Sequence, residues 1–260
     1  IEVQAAGHAS VVLDGGTGIR RLGHRLAQEG VSDVELVFSH CHIDHILGLP
    51  FFAPLHNPGT RVRISLPGES SQQAEEVLSR YLDGVLSPLL IGDLACSLTI
   101  EGLVAGVPVE RNGMQVTGCT LNHPGGSLAY RLDADDASFA YVTDTAPFAP
   151  HGTGIAAGES PRDGEAALID ALRGCDAVLF DTMFSEAEFL QHPDWGHSYP
   201  EYAVAICEAA GVRELWLFHH LPSADDDRLD ALERRWAEHT GPLVVRVARE
   251  GHTLELGEHG

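Results

Sequence analysis

"VELVFSHCHIDHILGLP", residues 34–50, runs from an apolar, β-branched segment into three histidines and an aspartate placed within six positions, His40, His42, Asp44 and His45. The first part reads as a strand, and a helical pattern takes over at 44–53. His40 and His42, two residues apart in an extended segment, can face one ion, while Asp44 and His45 lie across a turn and suit a second. Imidazole is a neutral ligand for borderline divalent metals, and a carboxylate can bridge two ions roughly 3.5–4 Å apart.

Other polar residues fall in matching places. Strands are expected at 10–14, 34–39, 61–66, 97–101, 114–121, 127–132, 138–143, 176–181, 214–218 and 243–248. Helices are expected at 17–30, 44–53, 70–85, 163–173, 184–191, 198–210 and 225–239. Gly30, Gly174 and Gly211 stand where helix C-caps belong, and Ser198 with Glu201 three residues on reads as a capping box. His40, His123, Asp144, Asp181 and His219 all lie at or just past the carboxyl ends of strands, the edge where α/β folds gather their sites. No repeat of fixed period and no long linker divides the chain, so one domain over 1–260 is expected, with the Gly/Pro/Ala-rich stretch 145–162 as the best candidate for a mobile loop.

Composition narrows the function classes. All sixteen basic residues are arginine, against 38 carboxylates, for a formal charge of −22. A nucleic-acid binder gains affinity by displacing counterions with a basic patch, and no such patch is visible. No apolar run approaches membrane-spanning length. The chain opens with Ile1 and not Met, as a processed or clipped chain does, and no signal sequence is visible. Five scattered cysteines, Cys41, Cys96, Cys119, Cys175 and Cys207, form no CxxC pair and fit free thiols in a reducing cytoplasm.

The pattern resembles the metallo-β-lactamase superfamily, whose HxHxDH signature is matched by His40-Cys41-His42-Ile43-Asp44-His45. "LDGGTGIRRLG" is similar to the early Asp-containing loop of that family and "DHILGLPFFAPL" to the helix that follows the signature. "LNHPGGSLAYRL" carries a histidine like that of its third motif, "YVTDT" resembles its bridging-Asp motif, and "GHSYPEYAVAICEAAGVRELWLFHHLP" its closing segment. The Gly196-His197-Ser198 segment and the Asp of "LFDTMF" look like the tRNase Z and cyclic-phosphodiesterase branch.

The resemblance implies an α/β fold of the four-layered αβ/βα kind, two mixed β-sheets face to face with helices outside. It implies two divalent ions per chain, with zinc the default and manganese or iron suited to the same donors. One ion would be held by His40, His42 and His123 and the other by Asp44, His45 and His219, with Asp144 bridging. The strand–His–x–x–Pro register favours His219 over His220 as ligand, leaving His220 behind the site. Asp14 would either accept the outer N–H of a ligand histidine or form the turn before Gly15-Gly16. Cys41, between two ligands but pointing the other way, is expected to pack.

By the same resemblance the protein is a di-metal hydrolase, with Asp44, Asp181 and His197 as its catalytic residues. A hydroxide bridging the ions would attack a small phosphodiester, cyclic ones included. His197, oriented by Asp181, would protonate the departing alkoxide. A carboxylic ester, lactone or thioester hydrolase on the same site is the alternative, and a non-catalytic metal-binding module the third reading. The expected partner is a small molecule, with no nucleic acid and no membrane; a homodimer stays open. Segments 51–59, 80–95 and 145–162 would line the pocket, where His56 and His151 could touch a phosphate.

Overall fold

In the computed structural model, which describes residues 1–148 and 160–257, the chain divides into two units, Ile1–Gln115 and Val116–Gly260. In the first unit, β1 (Glu2–Val3), β2 (Val11–Leu13), β3 (Asp33–Val37), β4 (Arg61–Pro67) and β5 (Ser97–Leu103) form a sheet in chain order. β1 is antiparallel to β2 and the remaining neighbours are parallel, so the sheet is mixed. The register sets Val34 against Val62 and Leu36 against Ile64, and all four are buried. Such apolar cross-strand pairs hold the register, since a slip of one residue would turn them to the other face.

Helix α1 (Ile19–Gln28) buries Ile19, Gly23 and Leu26, a helical stripe facing the core. The helix expected at 44–53 is one α-turn, α2 (Ile43–Ile46), followed by 3-10 turns at Leu49–Phe51 and Ala53–His56. Pro50 and Pro54 explain the break, because neither has an N–H for a continuing helix and each begins a new turn. α3 (Ser71–Ser79) is capped by Ser70, whose Oγ accepts the Gln73 N–H, and it stops well short of residue 85. The Asp83 carboxylate takes over there, accepting the Val85 and Leu86 N–H groups at 2.7 Å each to make a turn. β6 (Val109–Arg111), absent from the expected strands, leads into Asn112-Gly113, whose φ values of 48° and 78° are those of a tight hairpin turn.

The second unit follows with β7 (Met114–Leu121), β8 (Ser127–Ala134), β9 (Ala137–Val142), α4 (Asp163–Leu172) and β10 (Ala177–Asp181). It closes with α5 (Glu186–Phe189), α6 (Pro200–Ala210), β11 (Glu214–Phe218), α7 (Asp226–Trp236) and β12 (Val244–Val247). Its strands lie in the order β12-β11-β10-β9-β8-β7. β9 through β12 are parallel and β8 is antiparallel to β9, so this sheet is mixed too. Val142, Val178, Phe180, Tyr202, Ile206, Leu215 and Leu217 form its core, each large side chain contributing roughly 1.5–3 kcal/mol relative to exposure. Gly30, Gly174 and Gly211 do end their helices, with φ of 70°, 65° and 68°.

The capping box expected at Ser198 is not formed. Tyr199 is the N-cap of α6 and Pro200 fills its first turn, while the Ser198 hydroxyl donates to the Thr145 carbonyl at 2.6 Å. Most of the loop expected at 145–162 lies outside the described residues, as does His151. No helix among the described residues is long and apolar enough to cross a membrane. The five cysteines carry free thiols.

Candidate metal centre

β2 and β3 are parallel neighbours, so their carboxyl ends deliver Asp14 and the Phe38-Ser39-His40 segment to one edge. Asp14 is buried, and its Oδ1 accepts the Ser39 N–H at 2.7 Å. Its Oδ2 accepts the Ser39 hydroxyl at 2.8 Å and the His45 Nδ1–H at 2.7 Å. Because the Ser39 proton goes to Asp14, its oxygen is the acceptor for His40 Nδ1–H at 3.0 Å. Both histidines therefore carry their lone pair on Nε2, the atom a metal would use. Burial alone would raise the Asp14 carboxyl. Hydrogen bonds and charge from His45, with the bonds from Ser39, outweigh it and hold the group below its ordinary value.

His40 Nε2 faces His42 Nδ1 at 3.0 Å, and His45 Nε2 lies 3.0 Å from Asp44 Oδ2. The Asp14 loop and the α2 turn are clasped: Gly15 N–H donates to His45 O at 2.6 Å and Gly48 N–H to Gly15 O at 2.8 Å. Cys41 packs against the core of this unit, where burial pushes its thiol up to about 11. His56 is exposed, its Nε2–H donating to the Pro50 carbonyl at 2.9 Å. Asp14→Ala is expected to weaken metal binding about 10–100-fold, since it frees two histidine tautomers. It should also cost about 1–3 kcal/mol of stability through the buried Ser39 N–H it orphans, and about 1 kcal/mol or more through the strain of Ala at the φ of 59° there. Chelator competition and urea unfolding measure the two effects, and unchanged metal affinity would show that Asp14 orients nothing.

In the second unit the neighbouring strands β9, β10 and β11 run parallel, and their carboxyl ends present Asp144, Asp181 and His219. The two oxygens of buried Asp144 point to different histidines. Oδ2 lies 3.7 Å from His123 Nε2 and Oδ1 lies 3.5 Å from His219 Nδ1, as in a carboxylate that serves two ions. His123 is set by its Nδ1–H, which donates to the Gly196 carbonyl at 2.9 Å and leaves the Nε2 lone pair toward Asp144. Gly196 has φ 85°, and an added Cβ would come within 2.4 Å of His123 Nδ1.

Asp181 is fully buried; its Oδ2 accepts the His197 Nδ1–H at 2.9 Å and the Thr145 N–H at 3.1 Å, while Oδ1 accepts Met183 N–H at 3.0 Å. The His197 ring stacks on His219, with centroids 5.1 Å apart and planes within 16°, and meets His123 edge-on at 5.5 Å. His220 turns away. It donates Nε2–H to Ala248 O at 3.1 Å and lines a cavity of about 370 Å³ with Met183, Leu221 and Leu232. Burial lowers the His220 imidazole below its ordinary value.

Of the five described non-glycine residues with positive φ, three are site residues, Asp14 at 59°, Asp144 at 45° and His219 at 57°. Left-handed backbone costs an L residue about 1–2 kcal/mol, and folds keep it where a side chain must be aimed. Sequence patterns carry no sign of it. Nor did they point to Ser39, Thr145 or the Gly196 carbonyl, whose roles depend on hydrogen bonds to residues far along the chain.

The donors suit a divalent cation. In the first unit the ligand atoms of His40 and His42, and of Asp44 and His45, are close enough to share an ion; in the second, Asp144 is so placed for both His123 and His219. His40 Nε2 and His42 Nδ1 lie 3.0 Å apart, so both would be within reach of one ion.

A profile of the beta-lactamase superfamily domain matches residues 10–220. Ribonuclease Z from Myxococcus xanthus (strain DK1622) is 27% identical, with 96% of this chain and 89% of that protein covered. The metallo-beta-lactamase fold protein YhfI from Bacillus subtilis superposes with a TM-score of 0.67 at 19% identity, over 96% of this chain and 88% of its own. A diphosphatase from the PhnP family superposes at 0.63 and 18% identity, over 98% and 83%.

Proposed function

The chain belongs to the beta-lactamase superfamily and has the metallo-β-lactamase fold, an α/β class with two mixed sheets and flanking helices, and from that premise we propose that it is a metal-dependent phosphodiesterase for a small substrate. The superfamily is one of hydrolases, and the chain carries a candidate metal site. The observation that carries the finer reading is the Asp181–His197 pair, 2.9 Å apart, with the His197 ring lying on that of His219. A carboxylate behind an imidazole fixes its tautomer, and with Nδ1–H held by Asp181 the proposed proton donor is Nε2.

The residues proposed to hold two ions are His40, His42, Asp44, His45, His123, Asp144 and His219. Zinc suits them, and manganese or iron would also. When bound, such ions lower the pKa of water and offset the charge that builds on a phosphoryl group. The chain's own residues do the rest. Asp14 and Ser39 fix His45 and His40, and the Gly196 carbonyl fixes His123. As the bond from phosphorus to the leaving oxygen breaks, the proton on His197 Nε2 passes to that oxygen, and Asp181 stabilises the imidazolium beforehand.

A small substrate is favoured by charge. At least eleven of the sixteen arginines are held in ion pairs with carboxylates, which leaves little positive surface for a polynucleotide backbone. A cytoplasmic setting agrees with the free thiols, and a homodimer is compatible with all of this. The metal-loaded protein is expected to hydrolyse bis(p-nitrophenyl) phosphate, to lose that activity in chelator and to regain it with zinc. Hydrolysis of p-nitrophenyl butyrate or a lactone in its place would overturn the diesterase reading in favour of the carboxylic-ester one.

A further inference from the structure

Next to the proposed acid, and joined to it through Phe184, lies a group of rings with no part in the mechanism above. Trp195 is 58% exposed, high for so large an apolar side chain. It is nonetheless held. The His192 ring lies against it at 4.4 Å and 36°, the Trp195 backbone N–H donates to the His192 carbonyl at 3.1 Å, and buried Phe184 meets the indole at 6.2 Å. Phe184 also meets the His197 ring, at 6.0 Å. Trp195, Gly196 and His197 are consecutive: the first carries the exposed indole, the second fixes His123 and the third pairs with Asp181. A flat group lying on Trp195 is therefore referenced through one short, braced piece of backbone to the atom that delivers the proton.

We infer that Trp195, supported by His192 and Phe184, is a stacking platform for the nucleobase of the substrate, and so a specificity-determining residue. The inference rests on the phosphodiesterase reading and deepens it, choosing nucleotides over base-free sugar phosphates. Stacking suits this surface because it needs no positive charge; a ring of any sequence has a π-face, and the acidic exterior does not oppose a neutral base. The rigid indole is also ordered before the substrate arrives, so little conformational freedom is lost on binding.

The test is made on binding, apart from turnover. Adenosine 5′-monophosphate and ribose 5-phosphate, alike except for the base, are titrated by calorimetry into metal-loaded wild type, Trp195→Ala and Trp195→Phe. Wild type should bind the nucleotide tighter by roughly 10- to 100-fold, the range that one base stacked on an aromatic side chain supplies. Trp195→Ala should bind the two alike, and Trp195→Phe should keep most of the preference. With a diesterase substrate bearing a base, Trp195→Ala should raise KM by a similar factor and leave kcat nearly unchanged. Equal binding of the two ligands by wild type, or an undiminished preference in Trp195→Ala, overturns the platform and leaves the diesterase assay to stand or fall by itself. A Trp195-dependent preference in a protein without diesterase activity would uphold the platform and sink the reaction assigned above.

Discussion

Replacing Asp144 with Asn is expected to cut turnover of bis(p-nitrophenyl) phosphate by about a thousandfold or more and to leave the protein short of bound metal. Asp144 is the residue whose two oxygens reach toward both His123 and His219, at 3.7 and 3.5 Å. An amide keeps the shape but gives up the negative charge that would offset two cations, and its NH₂ cannot act as a ligand. Asn also isolates the chemistry from the backbone. Asp144 has φ 45°, a conformation Asn tolerates as Asp does, whereas Ala there would add about 1 kcal/mol or more of strain. Metal-stripped Asp144→Asn should therefore unfold at the same urea concentration as stripped wild type, or higher, because a buried carboxylate has been removed. Metal analysis beside the two unfolding curves is decisive: full metal content with normal turnover would remove Asp144 from the ligand set.

The parts of this arrangement that were legible in the sequence are those with local signals. His40, His42, Asp44 and His45 are a spacing, and Asp144, Asp181 and His219 are polar residues closing apolar runs; both signals are local in the chain and need no structure to be seen. What failed failed for local competition or for distance. The helix pattern at 44–53 is real in its apolar spacing, but Pro50 and Pro54 remove the N–H groups it needs. Ser198 satisfies the capping-box rule and yet spends its hydroxyl on Thr145, 53 residues away. β6 was missed although Asn112-Gly113 is a strong hairpin-turn signal, because the Val109–Arg111 run is too short to count as a strand by pattern. The chain of bonds from Asp14 through Ser39 to His40 could not be read at all, since Ser39 looks like any polar residue after a strand.

His197→Ala should separate a proton donor from a ligand. On a diester whose leaving group is an alkoxide, kcat is expected to fall roughly 10²–10⁴-fold, the usual worth of general acid catalysis, with metal content unchanged. On bis(p-nitrophenyl) phosphate the loss should be much smaller, because p-nitrophenolate departs without needing a proton. A residue that merely shaped the site would cost both substrates alike. Asp181→Asn should reproduce the pattern through the same imidazole. An amide in that position must set its NH₂ against one of the N–H groups now donated by Thr145, Met183 and His197, so the ring loses its partner or the loop loses its anchor. If the two residues act as one device, the double variant loses little beyond His197→Ala, and additive losses would mean that Asp181 works by another route. Loss of metal in His197→Ala, or equal losses on the two leaving groups, would remove His197 from the role of acid.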